Sequence, residues 1–371
     1  MKQCLGTLRI LTFACCAMGC AAAVHASESR GFVVTWFTPA MNSQDGDCGP
    51  GGINPRGNQL FETIVKDLNL SPGEVAKALE GYPDNYAQIA TERGRIDGKP
   101  VNVYLNPTSV PDPLIKTSLG KKGYGFNLDG KDGPNDFVEI ETGEKGVDNM
   151  LSRVTGCFES MRGSPTSRPS YPQGHWSQPT GQMQAWVIEV SAVDDWQNDS
   201  SVNVGIYRAR DPIVRSLTSE PQPDMTFTID ENPTSWNEMR GHIKDGVLYT
   251  DPIEFKMVGD PYYISYYRFK SARLRMRISA DGNVQAILGG YFDWLPLYMN
   301  FALGGADAEP TLSVNVPGMY YALRRFAEVD PDPRTGINMG ISAAYRIEAA
   351  PAFLMHQKPR SAETQSASSR Q

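Results

Sequence analysis

Apolar positions along the chain change their spacing twice. Leu60, Ile64, Val65 and Leu68 recur at helical intervals and predict a helix. Ser71-Pro72-Gly73-Glu74 then reads as a capping box with proline in the first turn, opening a second helix through Val75 and Leu79. A third helix is expected from Asn85 to about Arg93. An apolar run at residues 31–37 predicts an opening strand, and Val101, Val103 and Leu105 alternate, so a strand closes this section.

From residue 184 the period falls to two. Residues 185–193, 202–209, 226–229, 253–258 and 263–269 alternate as strands do. Asp245-Gly246 and Asp281-Gly282 each separate two such runs, and Asp-Gly favours hairpins because tight primed turns need positive φ. Around the second turn Leu274, Met276 and Ile278 fall on one face and Arg273, Arg275 and Arg277 on the other, the pattern of a sheet packed on one side and wet on the other. After Gly289-Gly290 comes an apolar aromatic stretch, residues 291–301, and residues 318–329 read as an amphipathic helix. The predicted fold class is mainly β: an antiparallel β-sandwich with a small helical N-terminal section and a C-terminal helix. The predicted organisation is a signal peptide (1–26), an N-terminal α+β section (27–106), a β-sandwich domain with its C-terminal helix (107–356) and a disordered tail (357–371) whose Ser, Gln and Ala show no apolar period.

Composition adds an address. Lys2 and Arg9 precede an apolar stretch, and Val24-His25-Ala26 is a small-x-small cleavage site, so residues 1–26 read as an export signal. A rival reading makes Cys20 the acylated residue of a lipoprotein signal. The apolar stretch falls short of the roughly 20 residues of a membrane-spanning helix, and no later stretch reaches it. Removing residues 1–26 leaves 33 basic against 42 acidic residues, a formal charge of −9. Nucleic acid is thereby a poor partner, because phosphate binding needs clustered Lys and Arg. Only Cys48 and Cys157 lie beyond the signal, and two thiols in an oxidising compartment predict one disulfide.

Short motifs carry a resemblance. Asp148-Asn149 after Gly146-Val147, the polar stretch at 163–182, the β-rich region, Ala280-Asp281-Gly282 and Gly289-Gly290-Tyr291 together resemble uncharacterised exported β-rich proteins of Gram-negative bacteria over roughly residues 120–295. The resemblance implies an extracytoplasmic place, periplasm or outer surface, and carries no activity with it.

Candidate chemistry lies in three places. Glu139-Ile140-Glu141-Thr142-Gly143-Glu144 resembles the catalytic strand of laminarinase-like β-sandwich glycoside hydrolases. That resemblance implies Glu139 as nucleophile, Glu141 as orienting carboxylate and Glu144 as acid/base, although Glu141 replaces an Asp and Thr-Gly reads as a turn. Two carboxyls about 5 Å apart would suit retention. Asp129, Asp132 and Asp136, with Asn127 and Asn135, supply oxygen ligands in a Gly-containing loop and make calcium the one cofactor to consider. The register departs from the regular calcium loop, and turn chemistry explains the same residues. Asp45-Gly46-Asp47-Cys48-Gly49 is a weaker case, with a disulfide-anchored turn as its plain reading. Tyr263, Tyr267, Tyr291 and Trp294 form the candidate binding set, because rings on both faces of one strand leave some for a ligand unless something covers them. His175, His242 and His356 lack metal-ligand spacing, and no Gly-x-Ser-x-Gly elbow occurs. The function expected is a noncatalytic binding or cell-envelope-associated protein whose partner is a small molecule, a glycan or an envelope protein. The alternative is a β-sandwich glycoside hydrolase.

Overall fold

Eight strands carry the alternating pattern. In the computed structural model, which describes residues 27–163, 168–172, 183–218, 220–259, 264 and 266–356, they are β1 (Glu28–Pro39), β2 (Gln184–Val193), β3 (Asp199–Pro212), β4 (Trp236–Lys244), β5 (Val247–Thr250), β6 (Tyr266–Ile278), β7 (Val284–Asp293) and β8 (Asn338–Met355). Each pairs antiparallel with the next, and β8 returns to pair with β1 from Gly31↔Ala352 to Pro39↔Tyr345. The sheet therefore closes into an eight-stranded up-and-down barrel and corrects the expected sandwich. The physical reason is that closure pairs the first and last strands and removes both edges, which a sandwich leaves open. Register shifts in β1, β2, β3 and β6 add the local twist that bends long strands around a barrel.

Alternate residues of all eight strands fill the lumen. Phe32, Val34, Ile188, Val190, Val204, Ile206, Met239, Leu274, Met276, Leu288, Ile341 and Ile347 belong to one buried cluster. Each large apolar side chain so buried contributes about 1.5–3 kcal/mol. The two-residue hairpin between β4 and β5 forms where predicted, with Asp245 at φ 52° and Gly246 at φ 71°.

The outer wall is less wet than its pattern suggests. Leu274 and Met276 point inward as expected, yet Arg275 is only 4% exposed because the insertion between β1 and β2 lies over it, with Phe126 packing on Ile287 and Ala344. Elsewhere the short strand Met225–Thr228 runs parallel to the end of β8 and covers Val33, Val187 and Tyr207.

That insertion holds α1 (Gly57–Lys66), α2 (Pro72–Glu80), α3 (Tyr86–Thr91) and α4 (Met150–Thr155). The capping box forms in both directions: the Ser71 amide donates to Glu74 Oε2 at 2.9 Å, and the Glu74 amide donates to Ser71 Oγ at 3.4 Å. Helices α1 to α3 bury Leu60, Phe61, Ile64, Tyr86 and Ala90 in a cluster of their own. The strand expected over 99–105 is shorter, Lys99–Val101 paired with Gly94–Ile96, because Asn102 caps the Tyr104 amide and turns the chain.

The aromatic stretch at 291–301 divides: it ends β7 and begins α5 (Trp294–Leu312), followed by α6 (Val316–Phe326). Helix α5 bends at Gly305, whose φ of 46° and ψ of −126° break the helical run. Just beyond the bend, buried Glu309 accepts from Arg93 at 2.6 Å, Tyr104 at 2.8 Å, Tyr86 at 3.2 Å and the Val316 amide at 2.9 Å. This satisfied carboxylate fastens the small helical section to α5 and α6. No helix among the described residues is long and apolar enough to cross a membrane. Residues 1–26 and 357–371 lie outside the described residues.

Candidate functional site

The Glu139 motif folds as a turn. Only Val138–Glu139 is strand, and Gly143, at φ 73°, reverses the chain so that Glu144 O receives the Glu139 amide at 2.7 Å. The Glu139 carboxylate accepts the amides of Glu141 and Thr142 at 2.6 and 2.7 Å and pairs with Arg275. Its side chain is fully buried, whereas Glu141 is half exposed and reaches Arg275 at 3.3 Å. Glu139 and Glu144 thus do not stand side by side on one strand face, and the motif's built role is to hold a turn against the barrel wall.

The predicted calcium loop contributes one member to a different group. Asp136 meets Asp148 and Glu328, with one oxygen from each lying within 4.8 Å of the others. The Asp129 carboxylate instead caps the Lys131 amide at 2.8 Å, and Asp132 is not in the trio. Asp148 is buried and accepts the Leu128 amide at 2.7 Å. Burial, and then the charges of Asp136 and Asp129, push its carboxyl up to about 6. Burial likewise lifts Glu328 to about 7, with Asp148 and Asp136 adding to the rise and Ser342 opposing it. Three convergent carboxylates could hold a hard cation or share protons. The loop at Asp45–Gly49 is a disulfide-anchored turn, in which Asp47 pairs with Arg162 at 2.9 Å beside the Cys48–Cys157 bridge.

The candidate binding rings do not form one platform. Tyr263 lies outside the described residues. Trp294 is buried, its indole donating to Asn338 O at 2.9 Å. Tyr291 is half-buried, and the carboxylates of Asp148 and Glu328 act on its phenol. Tyr267 reaches a cavity.

That cavity lies at the barrel mouth, where β1 and β7 end and β6 and β8 begin. Phe37 and Tyr345 stack with centroids 4.7 Å apart, and Tyr267 stands edge-on to them at 5.1 and 5.7 Å. Leu151 and Thr155 from α4 and Leu297 and Phe301 from α5 line its helical side, leaving about 30 Å³ with no charged residue among the described residues of its lining. Thr155 donates its hydroxyl to Leu151 O at 2.7 Å. Tyr345 is 2% exposed, burial raises its phenol pKa, and its hydroxyl makes no hydrogen bond with any described residue. This phenol therefore has unused hydrogen-bonding capacity on a residue that lines an apolar site.

Sequence reasoning missed Tyr345, Asp148 and Glu328 as site residues. The period-two run Ile341, Ala343, Tyr345, Ile347 holds one polar-tipped ring among aliphatic neighbours, a signal that could have marked the first. Glu328 is brought to Asp136 by the fold alone, 192 residues along the chain.

No protein-family model, curated protein or solved structure matches the chain. By its own geometry it defines a helix-capped, eight-stranded antiparallel β-barrel with a small aromatic cavity at the capped mouth.

Proposed function

We propose that the protein is a noncatalytic binding protein whose ligand inserts an uncharged hydrogen-bonding group into the barrel mouth. The observation that carries this reading is Tyr345, a buried ring that lines an apolar cavity and whose hydroxyl has no hydrogen-bond partner among the described residues. Eight-stranded barrels are just wide enough to be filled by side chains or to hold one small ligand, and here the lumen is filled while the mouth keeps a void. About 30 Å³ admits one functional group or roughly two waters, so the body of the ligand lies against Leu297 and Phe301 and displaces them. The described lining, apolar but for tyrosine and threonine hydroxyls, selects a neutral, flat or apolar-faced molecule.

The engagement of Glu139 by Arg275 and two amides supports a noncatalytic role over hydrolysis. The same reading places the protein outside the cytoplasm. Its support is the signal-like character of residues 1–26 and the Cys48–Cys157 bridge, since such bridges persist in oxidising compartments.

The test is a thermal-shift screen of the mature chain with phenol, indole and a neutral oligosaccharide panel, repeated on Tyr345→Phe. A ligand that binds only the native state must raise the melting temperature by mass action. Stabilisation by a ring-bearing probe that weakens several-fold in Tyr345→Phe is expected. No shift with any probe, equal shifts in both proteins, or release of sugar products would each overturn the reading.

A further inference from the structure

The outer wall of the barrel carries a second pocket, remote in character from the mouth. It lies over β6, β7 and β8 and is lined by Arg275, Arg277, Arg346, Gln285, Tyr124 and Glu141 among others, enclosing about 30 Å³. The register explains the convergence. Arg275 pairs with Ile287 and Ile287 with Arg346, so these two arginines flank one isoleucine on three adjacent strands. Arg277 pairs with Gln285 in the next row on the same face. Like charges on neighbouring strands repel, and a half-buried guanidinium without an acceptor carries an uncompensated desolvation cost.

Counting the groups that face this part of the wall shows what is missing. Arg275 is matched by Glu139, and Glu348 by Arg168 at 2.7 Å. That leaves Arg277 and Arg346 against Glu141 alone in the pocket lining. Neither Arg277 nor Arg346 has a carboxylate within salt-bridge distance among the described residues. A surplus of positive charge thus lines this pocket on a protein whose formal net charge is −7.

We infer that this pocket binds a doubly charged tetrahedral oxyanion, phosphate either free or as a phosphomonoester. Two guanidinium forks can each take a pair of phosphate oxygens, and the Gln285 amide and Tyr124 hydroxyl supply neutral donors at its edge. The site is independent of the barrel-mouth reading, since it shares no residue with the mouth cavity.

The experiment is calorimetric titration of the mature protein, dialysed into chloride buffer, with inorganic phosphate and separately with glycerol phosphate, using acetate at matched ionic strength as control. Phosphate binding is expected to weaken at least tenfold in exposed Arg277→Gln and in Arg346→Gln, and to tighten several-fold in Glu141→Gln. Comparable binding of glycerol phosphate identifies the esterified source, and loss of binding with the ester identifies the free ion. No heat with either phosphate while circular dichroism shows a native fold, unchanged affinity in both arginine variants, or equal binding of acetate would overturn the inference. Because Arg277 is on the surface, its variant keeps the test valid if Arg346→Gln folds poorly.

Discussion

Glu139 and Arg275 form a buried ion pair across 136 residues of chain, joining the turn-rich insertion to the outer face of β6. Their burial makes the pair unforgiving, because removing one partner leaves a charge without water or counterion. Arg275→Met is expected to cost about 3–5 kcal/mol in urea unfolding. Glu139→Gln should cost less, since Glu141 already lies 3.3 Å from Arg275 and can take over part of its charge. A loss below about 1 kcal/mol in Arg275→Met would show that the insertion does not depend on this contact.

The carboxylate trio makes stability depend on pH in the reverse of the common acidic direction. Asp148 and Glu328 have ordinary values of 3.8 and 4.5 and stand at about 6 and about 7 in the native protein. The native state therefore binds more protons than the unfolded chain in between. Their contribution is complete below about pH 4 and is lost as pH rises through about 6 and 7. In the presence of chelator, Asp148→Asn with Glu328→Gln should flatten this slope. A melting temperature that climbs steadily from acid to neutral pH in the wild type, with the double variant climbing in parallel, would rule it out.

The disulfide ties the loop after β1 to the chain following α4, with Cα atoms 5.6 Å apart and 109 residues between them in sequence. Replacing both cysteines by serine should lower stability by about 2–5 kcal/mol. Thiol labelling of the native oxidised protein should modify neither position. Two labelled thiols at Cys48 and Cys157 in protein recovered from the medium or periplasm would show that the bridge is not formed there.

Tyr345→Phe keeps the ring that stacks on Phe37 and removes only a hydroxyl without a protein partner. Stability should change by less than about 1 kcal/mol, and toward greater stability, because no hydrogen bond is lost. A fall of more than about 2 kcal/mol would mean the hydroxyl is bonded in solution, and it would redirect attention from a ligand to a structural water.

Local chemistry was legible in the sequence wherever neighbours along the chain decide it. The Ser71–Glu74 box, the Asp245-Gly246 hairpin, the amphipathic helix expected over 318–329 and found over 316–326, and the inward facing of Leu274 and Met276 all rest on residues a few positions apart. The bridge was legible for another reason, because only two cysteines lie beyond residues 1–26 and two cysteines have a single pairing. Closure of the barrel was not, since it depends on Gly31 meeting Ala352, and alternation reads the same in a sandwich wall and a barrel wall. For the same reason the arginine face of β6 looked wet. Its cover, Phe126 and the Glu139 turn, comes from a segment rich in Gly, Pro and Asp that carries no period at all.

The site was legible in single residues and not in its groupings. Asp136 and Tyr267 were picked out, yet each keeps company the pattern could not supply: Asp148 and Glu328 in one case, Phe37 and Tyr345 in the other. The carboxylates at 139, 141 and 144 suggested catalysis through a resemblance to a glycoside-hydrolase strand, and Gly143 at positive φ turns the chain between the last two.

The β1–β8 seam also sets an order of assembly. Thr35 donates to Glu348 O across 313 residues, so the cylinder has no closing partner until nearly all of its wall has emerged, whether from a ribosome or through a translocation channel. Until then β1 is an orphan edge, followed by a long insertion that can begin its own helical cluster and its own cross-link. Contacts so distant in sequence slow folding and lengthen exposure of unpaired strands. A chain built this way places a premium on being escorted until its last strand is in place, and truncation just before β8 should leave an aggregating fragment, not a smaller stable fold.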